Sequence, residues 1–536
     1  MTTTIKFNLK QRKEGLPKIL FIKSKLKHLS TKEQKQFEAF GQGPVVAPEH
    51  SLIHQAFEKY ALLQPSALAA THLDQSITYA ELDEKANQMA MKLIELGVKP
   101  GDRVGLFVER STAMLVGILG ILKVGAAYIP QDARITPTVQ LRHIIESSDV
   151  KVILTLSHLK HRIPLASGQS CVSIDRFLKR NEYSNQAFMS NQLIKAQSSC
   201  FILYTSGTTG MPNGVDVTHQ NVSNIIMTPP GNLGMKPGLK VSQLLNISFD
   251  MAAWEILGAL THGATLIIRD NDIQKAAKQA DIIIATPSVL AKLNPSEMTH
   301  VKVAAVAGEP CPKTLADTWS SFSTFYNCCG PTETTIVNTM HQHRLGTQKM
   351  SIGKPTPNNT VYILDENMLP CKIGEIGEMW AGGDCVSAGY IKNDKLTNER
   401  YKPDPFLGGK RMMFRTRDLG RWNENGELEH FGRTDDQVKI NGFRIELDSI
   451  STAIESVKSC HQAVTLKLDN KNLVAFVSPK SIDLEQVKSA IADLLPYYCA
   501  PSMIIKLDEL PMTARGKVDK KALTVLAVKE QEKKND

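Results

Sequence analysis

The sequence contains no CxxC pair, although it has nine cysteines. They are scattered along the chain, at positions 171, 200, 311, 328, 329, 371, 385, 460 and 499. This scatter argues against a zinc site and against a disulfide framework, because both need cysteines at characteristic spacings. It suits a reducing compartment, and we therefore expect a cytoplasmic protein.

The sequence also lacks a signal peptide and a convincing membrane span. Charged residues interrupt every short apolar run between Ile5 and Ile22. The longest apolar stretch, from Ala113 to Pro130, is broken by Lys123 and by several glycines. Because a spanning helix needs about 20 predominantly apolar residues, this stretch predicts a buried helix followed by a strand, and no membrane partner is expected.

The composition allows a large core, since 42% of the 536 residues are hydrophobic and 22% are charged. The net charge of +9 is concentrated near the N-terminus, where residues 1–36 hold ten Lys or Arg and two Asp or Glu. A basic segment can bind nucleic acid. Because aromatic residues are not interleaved with these charges, we predict instead a linker or a docking edge for a neighbouring domain, and no nucleic-acid partner.

Four zones are predicted along the chain. Residues 1–45 form the basic tail, and alternating apolar strands and helices over residues 46–434 indicate α/β layers with parallel sheets. A smaller α/β unit follows over residues 435–524, and the charged tail 525–536 is expected to fray from residue 527. The elements predicted within these zones are strands Arg103–Val108, Cys200–Leu203, Gln437–Ile440 and Ala463–Leu468 and helices Glu81–Leu96, Ser449–Val457 and Leu484–Leu494.

A loop rich in glycine and hydroxyl residues spans residues 204–214, directly after the predicted strand Cys200–Leu203. Glycines let backbone N–H groups converge on one point, and hydroxyls add donors, so the loop suits phosphate oxygens. It is not a Walker A loop, because no Gly-Lys-Ser/Thr ends it. The alternative is a flexible surface turn. The residues predicted to contact phosphate are Thr205, Ser206, Gly207, Thr208, Thr209 and Gly210.

Seven further motifs follow or precede this loop in a fixed order. They are ITYAEL at 77–82, LKVGAAYIP at 122–130, SFD at 248–250, NCCGPTE at 327–333, GE at 377–378 with SAGY at 387–390, RTRDL at 415–419, and GRTDDQVKI at 432–440 with GKVD at 516–519. On these motifs the chain resembles the adenylate-forming superfamily, which includes nonribosomal peptide synthetase adenylation domains, acyl-CoA synthetases and luciferases. The resemblance implies a large N-terminal part of stacked α/β sheets with a small β-barrel, and a smaller mobile C-terminal α/β domain.

The resemblance also implies a reaction with ATP and Mg²⁺. Glu333 would be the carboxylate beside the magnesium ion, and Thr332 would touch the α-phosphate. Lys517 would hold the substrate carboxylate and the developing phosphate charge. Without the resemblance, Glu333 would be read as a residue at a helix start and Lys517 as a solvated lysine.

Other family positions fall around the nucleotide. Asp418 would accept both ribose hydroxyls, which suits an acceptor-only carboxylate. Arg433 would contact the nucleotide from the junction, and Asp435 would be the hinge about which the small domain rotates between adenylation and thiolation poses. The remaining nucleotide-contacting residues implied by the motif at 327–330 are Asn327, Cys328, Cys329 and Gly330.

The acyl pocket indicates the class of acid. Asp250 would pair with a substrate α-ammonium, and an acid without that amine would leave a buried charge unpaired; the alternative is a helix-capping aspartate. The rest of the predicted pocket is apolar and would leave a polar side chain unsatisfied. Its predicted lining is Asp250, Met251, Trp254, Ile284, Ala305, Ala307, Cys328, Ile336, Val337 and Lys517. A hydrophobic or aromatic amino acid is the predicted substrate.

Four positions depart from the family pattern. Asn213 stands where the phosphate loop usually has Lys, and Cys329 where a Tyr usually packs against adenine. Arg417 replaces a Gly, so its side chain must find room or restore positive charge near the nucleotide. Asn441 replaces a common Arg.

The predicted function is amino-acid adenylation followed by transfer to the thiol of a carrier protein, which lies in the same longer protein or acts in trans. Two alternatives stay open. One is an acid–CoA ligase of the same superfamily. The other is a degenerate, non-catalytic adenylation domain that binds nucleotide, a reading supported by Asn213 and Cys329.

Overall fold

The computed structural model describes residues 23–180, 183, 188, 194–207, 210–440, 442–469, 471–513 and 517–535. The α-helices of this part of the chain, numbered α1 to α15, are Thr31–Phe40, Ile53–Leu63, Tyr79–Glu95, Thr112–Val124, Thr138–Ser147, Ile174–Arg180, His219–Ile226, Asp250–Thr261, Ile273–Ala277, Pro287–Leu290, Lys313–Ser320, Asp394–Arg400, Leu447–Glu455, Leu484–Leu494 and Lys520–Asn535.

The strands, numbered β1 to β26, alternate with these helices. They are Leu68–His72, Gln75–Thr78, Arg103–Val108, Ala127–Asp132, Val152–Thr155, Ser170–Ser173, Ser199–Thr205, Asn213–Thr218, Lys240–Gln243, Thr265–Ile268, Ile282–Ala285, Val303–Val306, Thr324–Cys329, Thr339–His343, Lys354–Pro355, Asn359–Leu364, Gly377–Gly383, Gly389–Tyr390, Tyr401–Pro403, Met412–Trp422, Leu428–Arg433, Gln437–Ile440, Phe443–Glu446, Gln462–Lys467, Leu473–Ser478 and Met503–Lys506.

Two large sheets form the N-terminal part. One has seven strands in the order β18-β8-β7-β4-β3-β5-β6, and its members from β7 to β6 are parallel. The other has nine strands in the order β15-β14-β13-β12-β11-β9-β10-β1-β2, parallel from β13 to β1. The α/β prediction is therefore confirmed. An antiparallel sheet of β16, β17, β19, β20 and β21 stands where the small barrel was expected.

Helix α4 joins the two large sheets. Every residue from Met114 to Val124 is buried, and the helix contacts β3 and β4 of one sheet and β1 and β2 of the other. A helix that is apolar on all sides needs such an all-round environment. Its one charge, Lys123, is neutralised by Glu58 at 2.5 Å and Asp83 at 2.8 Å. The predicted buried helix and strand are present, and among the described residues no helix is long and apolar enough to cross a membrane.

The described part of the predicted N-terminal tail packs on the antiparallel sheet. Ser30 and Glu33 form a capping box that starts α1. Phe37 on this helix is buried and stacks on Tyr362, with ring centroids 5.5 Å apart, and also packs on Phe406 at 5.3 Å. This segment is therefore part of a core, not a solvated linker, over its described residues.

The C-terminal unit is small and has its own core. The hairpin β22–β23 precedes α13, and β24, β25 and β26 form a three-stranded sheet. We call residues 437–535 the lid. The predicted strand Gln437–Ile440 and helix Leu484–Leu494 match the structure, whereas α13 begins two residues earlier than predicted, at Leu447.

The expected fraying from residue 527 is wrong over the described residues. Helix α15 continues to Asn535. Leu523 and Ala527 on this helix are buried in a cluster with Leu466, Val474 and other lid residues. An apolar anchor of this kind stabilises a charged helix that its own sequence would leave marginal.

Candidate active site

The phosphate loop connects two antiparallel strands, β7 and β8, at the edge of the seven-stranded sheet. Thr205 ends β7, and Thr208 and Thr209 lie outside the described residues. Gly207 has no room for a side chain, since a Cβ there would lie 2.4 Å from the Met211 carbonyl oxygen. Gly210 has φ +82°, a left-handed conformation that glycine adopts without strain. Both glycines therefore occupy backbone positions that a residue with a side chain would fit poorly.

The lid lies directly on this loop. Ser206 donates its hydroxyl to the Arg444 carbonyl oxygen at 3.1 Å. Ser206, Gly207 and Gly210 line a small cavity of about 60 Å³ together with Ser449 and Tyr498 of the lid. In this pose, lid residues occupy the space in front of the phosphate loop.

A cavity of about 790 Å³ lies between the N-terminal part and the lid. Its floor comes from the carboxyl ends of β12 and β13 and the start of α8, and its roof from the hairpin β22–β23. Ligands of α/β sheets commonly bind in the crevice at the carboxyl ends of the strands. The predicted site residues that line this cavity are Asp250, Met251, Ala307, Asn327, Cys328, Cys329, Gly330, Thr332, Ile336, Asp418, Arg433 and Asp435.

Asp418 and Arg433 face each other across β20 and β21. An Arg433 Nη1–H donates to Asp418 at 2.7 Å, and His430 Nε2 lies 3.4 Å from the same oxygen. Burial alone would raise the pKa of Asp418, but His430 and Arg433 outweigh it and hold the pKa well below its usual range. Asp418 is therefore an ionised acceptor at the wall of the cavity.

The predicted hinge residue is tied to the same arginine. Arg433 donates to both carboxylate oxygens of Asp435, at 2.7 and 3.0 Å. Arg417 adds a weaker contact to Asp435 at 3.5 Å and pairs with Glu399. Arg417 has φ +64°, the left-handed region, which explains why a glycine suits this position. Its charge is directed to Glu399 and Asp435 and does not line the cavity.

Glu333 lies in a 3-10 turn, Thr332–Thr334, that follows β13. It is fully buried, accepts a hydrogen bond from the Tyr390 hydroxyl at 2.6 Å, and accepts another from Arg444 Nη1 at 2.8 Å. Burial raises its pKa, but the Arg444 charge prevails and lowers the pKa to about 2. This ionised carboxylate next to a phosphate loop fits a Mg²⁺ ion, which proteins often hold with one or two carboxylates plus substrate phosphates.

Asp250 is the first residue of α8, and the N-cap position before it is Phe249, which makes no side-chain cap bond. Burial raises the pKa of Asp250 to about 6, against the opposing effects of the Thr332 hydroxyl and the Lys439 charge. Among the described residues, no Lys, Arg or His nitrogen lies within 4.0 Å of its carboxylate. Asp250 is partly exposed in the wall of the cavity, and over the described residues the site therefore holds a carboxylate without a close cation.

Part of the predicted acyl pocket does not reach this cavity. Trp254 is fully buried and donates its indole N–H to the Gly231 carbonyl oxygen at 2.7 Å. Ile284 and Ala305 are paired neighbours on β11 and β12, and both are fully buried, as is Val337. These four side chains lie in the core beside the cavity. An alignment on motifs alone does not distinguish such core residues from residues that line the cavity.

Lys517 is not brought to the cavity. Its side chain is exposed, and its backbone bonds locally with Thr513, whose N–H donates to the Lys517 carbonyl oxygen at 2.6 Å. The lid residues that do line the cavity include Lys439, Phe443 and Arg444. The lid is thus seen in a pose that turns the predicted catalytic lysine away.

Cys329 ends β13 and lines the cavity. Burial raises the pKa of its thiol to about 11, so the side chain is a neutral thiol. Asn213, the other departure in this region, accepts a hydrogen bond from the Asn393 amide at 3.0 Å. Asn441 lies outside the described residues.

Sequence reasoning missed a set of cations in the lining of the cavity, which we call the cationic mouth: Arg110, Arg134, Arg269 and Lys467. Burial and the neighbouring Arg269 lower the pKa of Arg110 to about 10. Among the described residues, Arg110 and Arg269 form no ion pair within 4.0 Å. The three arginines follow the carboxyl ends of β3, β4 and β10, and this shared placement is the signal that could have found them.

Comparison with known proteins agrees with this geometry. Residues 57–391 match the AMP-binding enzyme family model. An adenylate-forming reductase of Coprinopsis cinerea is 46% identical over 95% of this chain and 50% of its own length, and gramicidin S synthase 1 of Brevibacillus brevis is 33% identical over 94% of this chain and 47% of its own. The chain thus spans about half the length of these curated relatives.

A solved structure shares the fold. It is an artificially fused adenylation–PCP di-domain of a nonribosomal peptide synthetase from Klebsiella oxytoca, with a TM-score of 0.77 and 22% identity over 85% of this chain and 93% of that one. The family resemblance expected from the motifs is confirmed. The chain belongs to the AMP-binding enzyme family.

Proposed function

We propose that this chain activates an amino acid with ATP, forming an aminoacyl adenylate, and then transfers the acyl group to the phosphopantetheine thiol of a carrier protein. The observation that carries the proposal is the carboxylate of Asp250, which lines the cavity, is partly buried, and has no cation within 4.0 Å among the described residues. A substrate α-ammonium supplies that missing charge, because a buried carboxylate is stable only when it is paired.

In the adenylation step, a substrate carboxylate oxygen attacks the α-phosphorus, an O–P bond forms, and the bond to pyrophosphate breaks. Asp418 and Thr332 both line the cavity; Asp418 would accept the ribose hydroxyls, and Thr332 would face the α-phosphate. Glu333 would hold Mg²⁺, which supplies charge neutralisation at the phosphates when bound. Lys517 would reach the reacting carboxylate after the lid rotates about Asp435.

The apolar lining of the Asp250 end supports a hydrophobic side chain in the substrate. Met251, Ala307, Cys328 and Ile336 line this region. A polar side chain buried among them would lose its hydrogen bonds to water, at a cost of about 1–3 kcal/mol.

In the transfer step, the thiol sulfur attacks the acyl carbonyl carbon, a C–S bond forms, and the C–O bond to AMP breaks. The cationic mouth supports a phosphopantetheine acceptor, because guanidinium groups match phosphate geometry. The Klebsiella oxytoca neighbour is described as an adenylation–PCP fusion, which supports a carrier protein as the partner.

Amino-acid-dependent ATP–pyrophosphate exchange over the proteinogenic amino acids tests the adenylation step. We expect exchange with one or a few hydrophobic amino acids, lost in Asp250→Ala and Lys517→Ala and kept in the control Asp365→Ala, which changes an aspartate outside the cavity. Exchange supported equally well by amine-free acids would instead favour the acid–CoA ligase alternative. ATP binding without exchange for any acid would favour the degenerate alternative.

The relative from Coprinopsis cinerea favours a second candidate, in which this chain is the adenylating part of a reductase. The adenylation and thiol-transfer steps are then the same, and only the fate of the thioester differs. Product analysis of the complete native protein separates the two: an aldehyde or alcohol indicates the reductase, and a peptide indicates the synthetase.

A further inference from the structure

One imidazole lies beside the carboxylate that would bind the ribose. His430 is on β21, lines the large cavity, and has 29% of its side chain exposed. Its Nδ1 accepts the Gly432 N–H at 3.2 Å, and its Nε2 lies 3.4 Å from Asp418 Oδ1. Because the accepting nitrogen of a neutral imidazole carries no hydrogen, the ring hydrogen is on Nε2 and is donated to Asp418.

The two carboxylate oxygens of Asp418 have different surroundings. Oδ1 accepts from His430 and also from Arg433 Nη1, the latter at 2.7 Å. Over the described residues, no hydrogen bond is made to Oδ2. Since each carboxylate oxygen offers two lone pairs, the protein donors occupy Oδ1, and Oδ2 keeps both of its lone pairs for a ligand in the cavity.

The second donor to Oδ1, Arg433, is shared between two carboxylates. It also donates to Asp435, through Nε at 2.7 Å and through Nη2 at 3.0 Å. Two of these three bonds therefore hold the guanidinium at Asp435, and one holds Asp418. His430 lies on the strand that pairs with the strand of Asp418, and its ring is held at Nδ1 by Gly432. It therefore fixes the Asp418 carboxylate independently of Asp435.

We propose that His430 is a positioning residue for nucleotide binding, whose Nε2–H orients the Asp418 carboxylate so that Oδ2 accepts the ribose hydroxyls. The inference rests on the proposed function, since that function assigns Asp418 to the ribose. His430 lies outside the sequence motifs, between RTRDL at 415–419 and GRTDDQVKI at 432–440. The preference for a nucleotide that has ribose hydroxyls should therefore depend on a residue that acts through Asp418.

A simpler reading gives His430 a purely structural role. Gly432 has φ +93°, the left-handed region, and the bond from its N–H to Nδ1 would stabilise this backbone conformation. In that reading the acceptor Nδ1 matters and the donor Nε2 does not. Two substitutions separate the readings, because the side-chain oxygen of Asn can replace the acceptor Nδ1 and the side-chain nitrogen of Gln can replace the donor Nε2.

The test measures nucleotide affinity of the full chain by calorimetry, with Mg²⁺ present throughout. The probes are ATP and dideoxy-ATP, which lacks both ribose hydroxyls. The variants are His430→Asn and His430→Gln. The control is His300→Gln, which changes an exposed histidine outside the cavity lining, and urea unfolding checks that each variant is folded.

We expect the wild type to bind ATP more tightly than dideoxy-ATP. His430→Asn should weaken ATP binding by about fivefold, as the loss of one hydrogen bond does, and should leave dideoxy-ATP binding unchanged. The selectivity for ATP then falls by the same factor. His430→Gln should keep most of this selectivity, and His300→Gln should keep all of it.

Selectivity that is kept in folded His430→Asn would overturn the proposal and support the structural role. Equal losses for ATP and dideoxy-ATP in that variant would overturn it as well, because damage to the backbone weakens both nucleotides alike. So would a wild type that binds the two nucleotides equally. These affinities are measured without an amino acid, so a chain that activates no amino acid would contradict the proposed function and still reveal the role of His430.

Discussion

Single residues set the chemistry of this site through the charge states that burial imposes. Glu333 is fully buried and Asp250 is partly buried. Burial raises the pKa of Asp250 to about 6, whereas at Glu333 the Arg444 charge outweighs burial and lowers the pKa to about 2. The difference lies in the partner: Arg444 bonds directly to Glu333, whereas no cation in the described part of the chain lies within 4.0 Å of Asp250. Glu333 is already paired with a cation, whereas Asp250 can pair with a cationic ligand.

The raised pKa of Asp250 predicts a pH dependence. Below about pH 6 the free enzyme carries a neutral Asp250, which loses its attraction for a substrate ammonium. We therefore expect kcat/KM for the amino acid to fall as pH falls through about 6, since kcat/KM reports the free enzyme. Exchange assays between pH 5 and 8 measure this decrease in kcat/KM.

The matched variant for this prediction is Asp250→Asn. It should lower kcat/KM at pH 7.5 by roughly 100-fold, corresponding to about 3 kcal/mol for a broken buried pair, and it should lack the decrease near pH 6. If kcat/KM of the variant still decreases near pH 6, the titrating group is not Asp250.

Arg417 predicts an effect on stability that comes from the backbone. Its φ of +64° is strained for any residue with a Cβ. Both Arg417→Gly and Arg417→Ala lose the contacts with Glu399 and Asp435, but only glycine relieves the strain. Arg417→Gly should therefore be more stable than Arg417→Ala by about 1 kcal/mol, measured as the difference in urea unfolding. Equal stabilities would contradict the strain.

Linear motifs predicted some of these residues and not others, for a physical reason. Asp250, Asp418 and Arg433 sit within short motifs whose local geometry the neighbouring residues fix. Arg110 and Arg269 come together only because two different sheets end at one cavity, and no local pattern carries that information.

At the scale of elements, the described N-terminal segment is the least expected feature. Composition alone described residues 1–45 as a charged tail, yet α1 carries one apolar side, and Leu26, Leu29 and Phe37 are buried. The net charge of a segment does not reveal an apolar side of a helix, because a helix needs only a stripe of apolar residues to pack on a neighbouring element. By contrast, α4 was predicted well, since its apolar run is unbroken except at Lys123.

Phe37→Ala should detach this helix locally. The ring is 4% exposed and packs on Tyr362 and Phe406, so its loss should cost about 3–5 kcal/mol of local stability. Hydrogen exchange of the α1 amides measures the effect, with Lys35→Ala on the exposed side of the helix as control. Unchanged protection in Phe37→Ala would mean that α1 is held by other contacts.

At the scale of the whole molecule, the N-terminal part and the lid together line the large cavity and the smaller one beside the phosphate loop. The fold of each part follows from its own periodicity, but the lid pose does not. Arg444, Phe443 and Lys517 all lie on the lid, and of these three Arg444 and Phe443 line the cavity. We propose that a rotation of the lid about Asp435 changes which of them faces the cavity.

This arrangement predicts that two lid variants affect opposite half-reactions. Lys517→Ala should lower ATP–pyrophosphate exchange by roughly 100-fold or more, as loss of a charge-stabilising group does, while sparing acyl transfer from a synthetic aminoacyl adenylate. Phe443→Ala removes the stack on Tyr498 and should slow acyl transfer more than exchange. Assays of each half-reaction measure both variants, and equal losses in both steps would contradict the separate roles.

The docking of α1 also bears on how such a domain can be exchanged between proteins. A junction placed at residue 45 would strip Leu26, Leu29 and Phe37 from the antiparallel sheet and leave Tyr362, Trp380 and Phe406 facing water. An uncovered apolar patch of that kind promotes aggregation. A chimaera that keeps the chain from residue 23 onwards retains the apolar residues that cover this patch. Recombination points upstream of Leu26 should therefore yield more soluble hybrids than a recombination point at residue 45.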